Sequence, residues 1–223
     1  VELANVFDEW GSSFNAINAS AAVGQYCKKC RSKGDQQLLD GLLCRWVPLL
    51  PDAGERECAN VLWALGKLGK ELDTVWGPTF KAYLRLVQQS MQSQSGNPQH
   101  ISNTLWACVV LRKQPTSSQT SLMMQAVLVP DVLAAAQPQA IANIVWALGK
   151  LCQLQGWQGG VSEQVMQQLL GEQQLQLVAG ETCQAISSVL VGLNDMASAA
   201  APVISKAFAQ RCSRQLLLTA NRA

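Results

Sequence analysis

One stretch of this chain is written three times. It reads Cys58-Ala-Asn-Val-Leu-Trp-Ala-Leu-Gly-Lys-Leu, then Ile101-Ser-Asn-Thr-Leu-Trp-Ala-Cys-Val-Val-Leu, then Ile141-Ala-Asn-Ile-Val-Trp-Ala-Leu-Gly-Lys-Leu. In each copy an Asn precedes a Trp by three. Two weaker copies flank these, Ala16-Ile-Asn-Ala-Ser-Ala-Ala-Val and Ile186-Ser-Ser-Val-Leu-Val-Gly-Leu. The anchor positions Asn18, Asn60, Asn103, Asn143 and Ser188 are spaced by 42, 43, 40 and 45 residues. A period of this length organises a whole chain and must be read before any local motif.

A step of about forty residues holds two helices and two turns. The predicted fold is therefore all-α. It is an α-solenoid of about five helix-pair repeats with a period of 40–45 residues, and residues 1–223 form one array. The repeats centre near 5–30, 35–69, 73–113, 117–153 and 161–194, and a C-terminal helix spans 199–217. The copies themselves read as helices. Asn97-Pro98-Gln99 is a helix start, because Asn accepts from free N–H groups and Pro tolerates the first turn. Pro138-Gln139 repeats that start, and Gly69 suits a C-terminal stop. On a helical wheel, Ile141, Val145, Leu148 and Cys152 share one face, and Ala142, Trp146 and Gly149 the next. Only Gln139, Asn143 and Lys150 form a polar stripe. A helix apolar over most of its circumference must be enclosed by neighbours. The small Ala142 and Gly149 would let those neighbours come close.

Partner helices are expected between the copies, at Asp35–Leu49, Thr74–Met91, Ser118–Ala136, Val161–Val178 and Ala199–Leu217, with an opening helix near Glu2–Trp10. Leu38, Leu39, Leu42 and Leu43 show helical spacing. No period-two run of Val, Ile or Thr marks a strand. Ser93–Asn97 and Gln155–Gly160 read as turns.

Composition narrows the chemistry. The 223 residues are 48% hydrophobic and 14% charged, enough for a core and unlike a disordered tail. His100 is the single histidine, which removes His-based triads and multi-His metal sites. The eight cysteines stand mostly alone among Ala, Leu and Trp, as small buried hydrophobes in a reducing compartment. Cys27 and Cys30 form one CxxC, but a structural zinc site needs a second pair. No phosphate loop, GxSxG, HExxH or EF-hand spacing occurs. No run of 18 apolar residues offers a membrane span, and no targeting segment is legible. The start at Val1 reads as a processed chain or a fragment. No enzyme, cofactor or small-molecule substrate is expected.

Pro98-Gln99…Ile101-Ser102-Asn103…Leu105-Trp106-Ala107 and Pro138-Gln139…Ile141-Ala142-Asn143…Val145-Trp146-Ala147-Leu148 resemble the octotricopeptide repeat of algal organellar proteins, some of which end in a RAP domain. Phe14-Asn15-Ala16-Ile17-Asn18-Ala19-Ser20 resembles the opening of such arrays. The resemblance covers about five repeats, with Ala21 and Val191 in place of the Trp at the ends and Ser188 in place of the Asn. No RAP domain is recognisable. The resemblance implies an organellar α-solenoid that binds RNA, placed in the mitochondrion before the chloroplast.

An RNA-binding array needs cations to follow phosphates and planar or hydrogen-bonding groups to meet unstacked bases. The aligned candidates are Arg56, Asn60 and Lys67, then Gln99 and Asn103, then Gln139, Asn143 and Lys150. Lys67 and Lys150 stand seven residues after the Asn. Val110 takes that place in the middle copy, with Arg112 and Lys113 close behind. Lys28, Lys29, Arg31 and Lys33 form the densest positive cluster, and Arg211, Arg214 and Arg222 a smaller one. The bland expectations run alongside. The repeated Asn locks a loop or the neighbouring helix before it touches a base, since buried amides need partners. The repeated Trp belongs to the core, and the Lys28–Lys33 run is a solvated helix end.

The expected function is non-catalytic binding of single-stranded or irregular RNA, foremost as a ribosomal component holding ribosomal RNA in an organelle, beside ribosomal proteins. The alternatives are a free factor for transcript stability, processing or translation, and a protein–protein scaffold. The net charge of only +2 favours the scaffold.

Overall fold

The computed structural model describes residues 2–29, 36–154, 157, 159, 161–199 and 202–221. Among these residues every regular element is a helix, so the chain is all-α. It forms two compact units, Val1–Leu86 and Val87–Ala223.

The first unit contains α1 (Glu2–Trp10), a 3-10 turn at Gly11–Ser13, α2 (Ala16–Lys29), α3 (Gln36–Trp46), a 3-10 segment at Val47–Asp52, α4 (Glu55–Leu68) and most of α5 (Asp73–Gln92). α2 and α4 carry the first two copies of the repeat, and they pack on each other, with α3 against α2. The core is built from Val23 and Tyr26 of α2, Leu39, Leu42 and Leu43 of α3, and Val61, Leu62 and Leu65 of α4. Trp46 is completely enclosed, and its indole Nε1 donates to Thr79 Oγ1 at 2.9 Å. That bond removes the penalty of burying an N–H in apolar surroundings. The helix expected to reach Leu49 stops at Trp46 instead. Pro48 disfavours α geometry in the residue before it and lacks a donor, so the chain tightens into the 3-10 segment.

The second unit contains α6 (Pro98–Val110), α7 (Ser117–Val127), α8 (Pro130–Ala134), α9 (Pro138–Cys152), α10 (Glu163–Leu169), α11 (Glu172–Ala179), α12 (Cys183–Ser198) and α13 (Lys206–Ala220). The repeat helices are neighbours here too: α9 packs against both α6 and α12. Three hydrogen bonds in this unit each link residues 42 apart: Gln153 Nε2 to the Asp195 carbonyl (2.7 Å), Trp157 Nε1 to the Pro115 carbonyl (2.9 Å) and Ser205 N–H to Glu163 Oε2 (2.6 Å). Each spans a distance within the sequence period. The Ser205 main-chain N–H and hydroxyl also hold the Glu163 carboxyl below the usual carboxylate range.

Three further partner helices differ from expectation. The span expected at Ser118–Ala136 is divided into α7 and α8, because Pro130 opens a new helix and Val129 before it is extended. The span expected at Val161–Val178 is divided at Gly171, which is the extended N-cap of α11. The last helix begins at Lys206, where Ser205 caps the Phe208 N–H, and not at Ala199, whose ψ of 155° is extended.

The helix starts follow the sequence. Asn97 caps the Gln99 N–H, and Thr116 and Gln119 form a reciprocal capping box. At the end of α4, Gly69 is left-handed with φ 61°, Gly69 N–H bonds to Gly66 O, and Lys70 N–H bonds to Leu65 O. This is the two-bond closure that glycine permits without strain. α6 ends with the same two bonds, Arg112 N–H to Val109 O and Lys113 N–H to Cys108 O. Arg112, nine residues after Asn103 as Gly69 is after Asn60, holds φ at 51°.

Candidate nucleic-acid interface

In α9, Ala140, Ile141, Ala142, Ile144, Val145, Ala147, Leu148, Gly149 and Leu151 are buried. Asn143, Trp146 and Lys150 are half-buried. Residues three and four apart share a helix face, so these three form one stripe facing water. α6 repeats the pattern: Asn103 and Trp106 are half-buried and Val110 is 41% exposed, while Ile101, Ser102, Thr104, Leu105, Ala107 and Cys108 are buried. α4 repeats it again with Asn60, Trp63 and Lys67. The repeated Trp is mostly buried and borders the polar stripe. All three indoles reach the surface because they share the face of the Asn, whereas Trp46 shares no such stripe and is enclosed.

The end copies carry the stripe in weaker form. Asn18, Ala21 and Gln25 are exposed on α2. On α12, Val191 is 37% exposed between the half-buried Ser188 and Asp195.

In two copies the repeated Asn is held within its own helix, not by a loop or a neighbouring helix. Gln99 Nε2 donates to Asn103 Oδ1 at 2.9 Å, and Gln139 Nε2 donates to Asn143 Oδ1 at 2.8 Å. The Pro-Gln start thus does two jobs: proline opens the helix and glutamine fixes the amide one turn on. α4 has Arg56 at this place. Its Nε lies 3.0 Å from Glu57 Oε1, with the guanidinium side chain largely in water and the carboxylate largely buried.

The cations fall into distinct settings. Lys67 Nζ lies 5.6 Å from the centre of the Trp63 ring, a cation–π contact along the stripe. Lys150 Nζ lies 2.8 Å from Asp195 Oδ2. That approach is not aligned as a hydrogen bond, so the pair is first of all electrostatic. Lys150 therefore shares its part of the stripe with a carboxylate. Asp195 stands seven after Ser188, the register of Lys67 and Lys150, so its place on the stripe is legible in the sequence. Arg112 is exposed and Lys113 half-buried just beyond α6. Lys28 and Lys29 are exposed in the last turn of α2. Arg31 and Lys33 of that cluster, Cys30 of the CxxC pair, and Arg222 lie outside the described residues.

Other chemistry has little to work with. Among the described residues no three His, Cys, Asp or Glu side chains come together as a metal site, and no helix is long and apolar enough to cross a membrane. Burial pushes the Cys58, Cys108 and Cys152 thiols up to about 12, with Glu57 adding to the effect at Cys58 and Asp195 at Cys152. These thiols stay protonated and pack as hydrophobes. A scan against protein-family models gives no match, and no curated protein matches the sequence.

Proposed function

We propose that the chain is a non-catalytic, RNA-binding helical-repeat protein, an α-solenoid of about five helix pairs. One observation carries the reading. Three helices leave an amide and an indole partly open to water at the same register while burying most residues around them. A residue repeated for packing alone would be buried like its neighbours. A planar ring beside an amide suits an unstacked base, which can stack on the one and hydrogen-bond with the other. Arg112 adds weight. It occupies a left-handed backbone position that glycine fills more cheaply in α4, and such strain at a cation is typical of a functional surface. The resemblance to octotricopeptide repeats extends the reading to an organelle, the mitochondrion before the chloroplast. There the chain would hold ribosomal RNA as a ribosomal component, or act as a free transcript factor.

The Lys150–Asp195 pair favours a second reading, a protein-binding scaffold, because it neutralises a cation on the same stripe. Salt dependence separates the two. Contact with about five phosphates gives a log–log slope of roughly −3.5 for single-stranded RNA. Trp106→Leu with Trp146→Leu should keep the helical circular dichroism and weaken RNA binding by about tenfold or more, since stacking contributes about 1–3 kcal/mol per base. Absence of saturable RNA binding at low salt would leave the scaffold.

A further inference from the structure

The amide of Asn103 has a fixed polarity. Gln99 Nε2 lies 2.9 Å from Asn103 Oδ1 and 3.2 Å from Ser102 Oγ. The Ser102 hydroxyl donates its proton to the Gln99 main-chain oxygen, 2.9 Å away. Toward the glutamine side chain, Ser102 Oγ can then only accept. The Gln99 group that faces it is the NH2, and the Asn103 atom reached by that same NH2 is the oxygen. The polarity recurs at Gln139 and Asn143. Each Oδ1 is turned back toward the preceding helical turn, and Nδ2 is the branch left for solvent. Among the described residues neither Nδ2 has a protein partner, and neither is shut away from water.

This has a chemical consequence that rests on the RNA reading above. An unconstrained Asn pairs bidentately with adenine, accepting from N6 and donating to a ring nitrogen. An Asn whose oxygen already accepts along the helix keeps a second lone pair, but it turns its two-hydrogen Nδ2 donor to an incoming base. We infer that Asn103 and Asn143 read bases through Nδ2, set by Gln99 and Gln139 to favour the paired acceptors of cytosine or guanine over the single acceptors of adenine. Cytosine offers O2 beside N3, and guanine offers O6 beside N7. Adenine offers N1, N3 and N7 only singly, with N1 and N7 beside its own N6 amino group. Trp106 and Trp146, three residues on, supply the plane against which the base would lie.

The test compares C12 and A12 oligoribonucleotides on the intact protein and on the double variant Gln99→Met, Gln139→Met. Methionine keeps helix propensity and side-chain length but releases the amides. The native protein should bind C12 about tenfold more tightly than A12, in line with one specific base contact per helix, and the variant should bring the two within about twofold. Self-stacking of A12 is the same for both proteins and drops out of the comparison. An unchanged C12-to-A12 ratio in a folded variant overturns the inference while leaving RNA binding intact. Failure of the native protein to bind either oligonucleotide overturns both.

Discussion

Gly149 and Gly192 meet backbone to backbone. A methyl group added at Gly149 would lie 2.6 Å from the Gly192 Cα and carbonyl oxygen, and one added at Gly192 would strike the Val145 carbonyl. The two glycines let α9 and α12 come closer than any side chain would allow.

That contact reverses a familiar sign. Glycine to alanine inside a helix ordinarily stabilises by about 1 kcal/mol. Gly192→Ala should instead destabilise by about 1–3 kcal/mol, since backbone cannot step aside as a flexible side chain can. Gly24→Ala on α2 is the control, with no atom within 4 Å of the added carbon. Urea melts should move in opposite directions for the two variants. A gain in stability for Gly192→Ala would mean that the helices are not in such contact.

Arg112→Gly should raise stability by about 1 kcal/mol, by relieving a non-glycine residue in left-handed geometry. The same change removes one cation, so the salt slope for RNA should become shallower by roughly 0.7. Thermal melts and a salt titration on one protein sample read both effects. Stability that rises without any change in slope would take Arg112 out of the interface.

Asp195→Asn should strengthen RNA binding, because it frees Lys150 to meet a phosphate and removes a repelling carboxylate. The expected gain is about two- to fivefold at low salt, comparable to the 0.2–1 kcal/mol scale of a partly exposed ion pair. Unchanged or weaker RNA binding by Asp195→Asn would show that Asp195 does not govern this end of the stripe.

How far the sequence reveals the structure depends on which helix is considered. The repeat helices were legible because their pattern recurs and their starts and stops use residues with one strong preference, such as Asn97, Pro98 and Gly69. The partner helices were harder. Pro130 lies inside an apolar run and Gly171 inside a Gln-rich stretch with helical spacing of its leucines, so periodicity alone carries the helix through them, although each residue ends or restarts a helix on local grounds. The site divided in the same way. The register of Asn, Trp and Lys was readable by counting. That the Trp borders the polar stripe was readable too, while the share of each indole left to water is set only once the facing helices are in place. The Gln-to-Asn bond was readable in principle as an i, i+4 pair, and the Lys150–Asp195 pair needed only the same count carried into the last copy.

The position seven residues after each anchor lies at or near the surface, and the five copies fill it with four residue types: Gln25, Lys67, Val110, Lys150 and Asp195. A single codon change there can make one helix attractive, neutral or repellent to a partner without repacking anything beneath it. The architecture therefore separates what evolution must preserve from what it can retune, and each copy can drift toward a new target on its own.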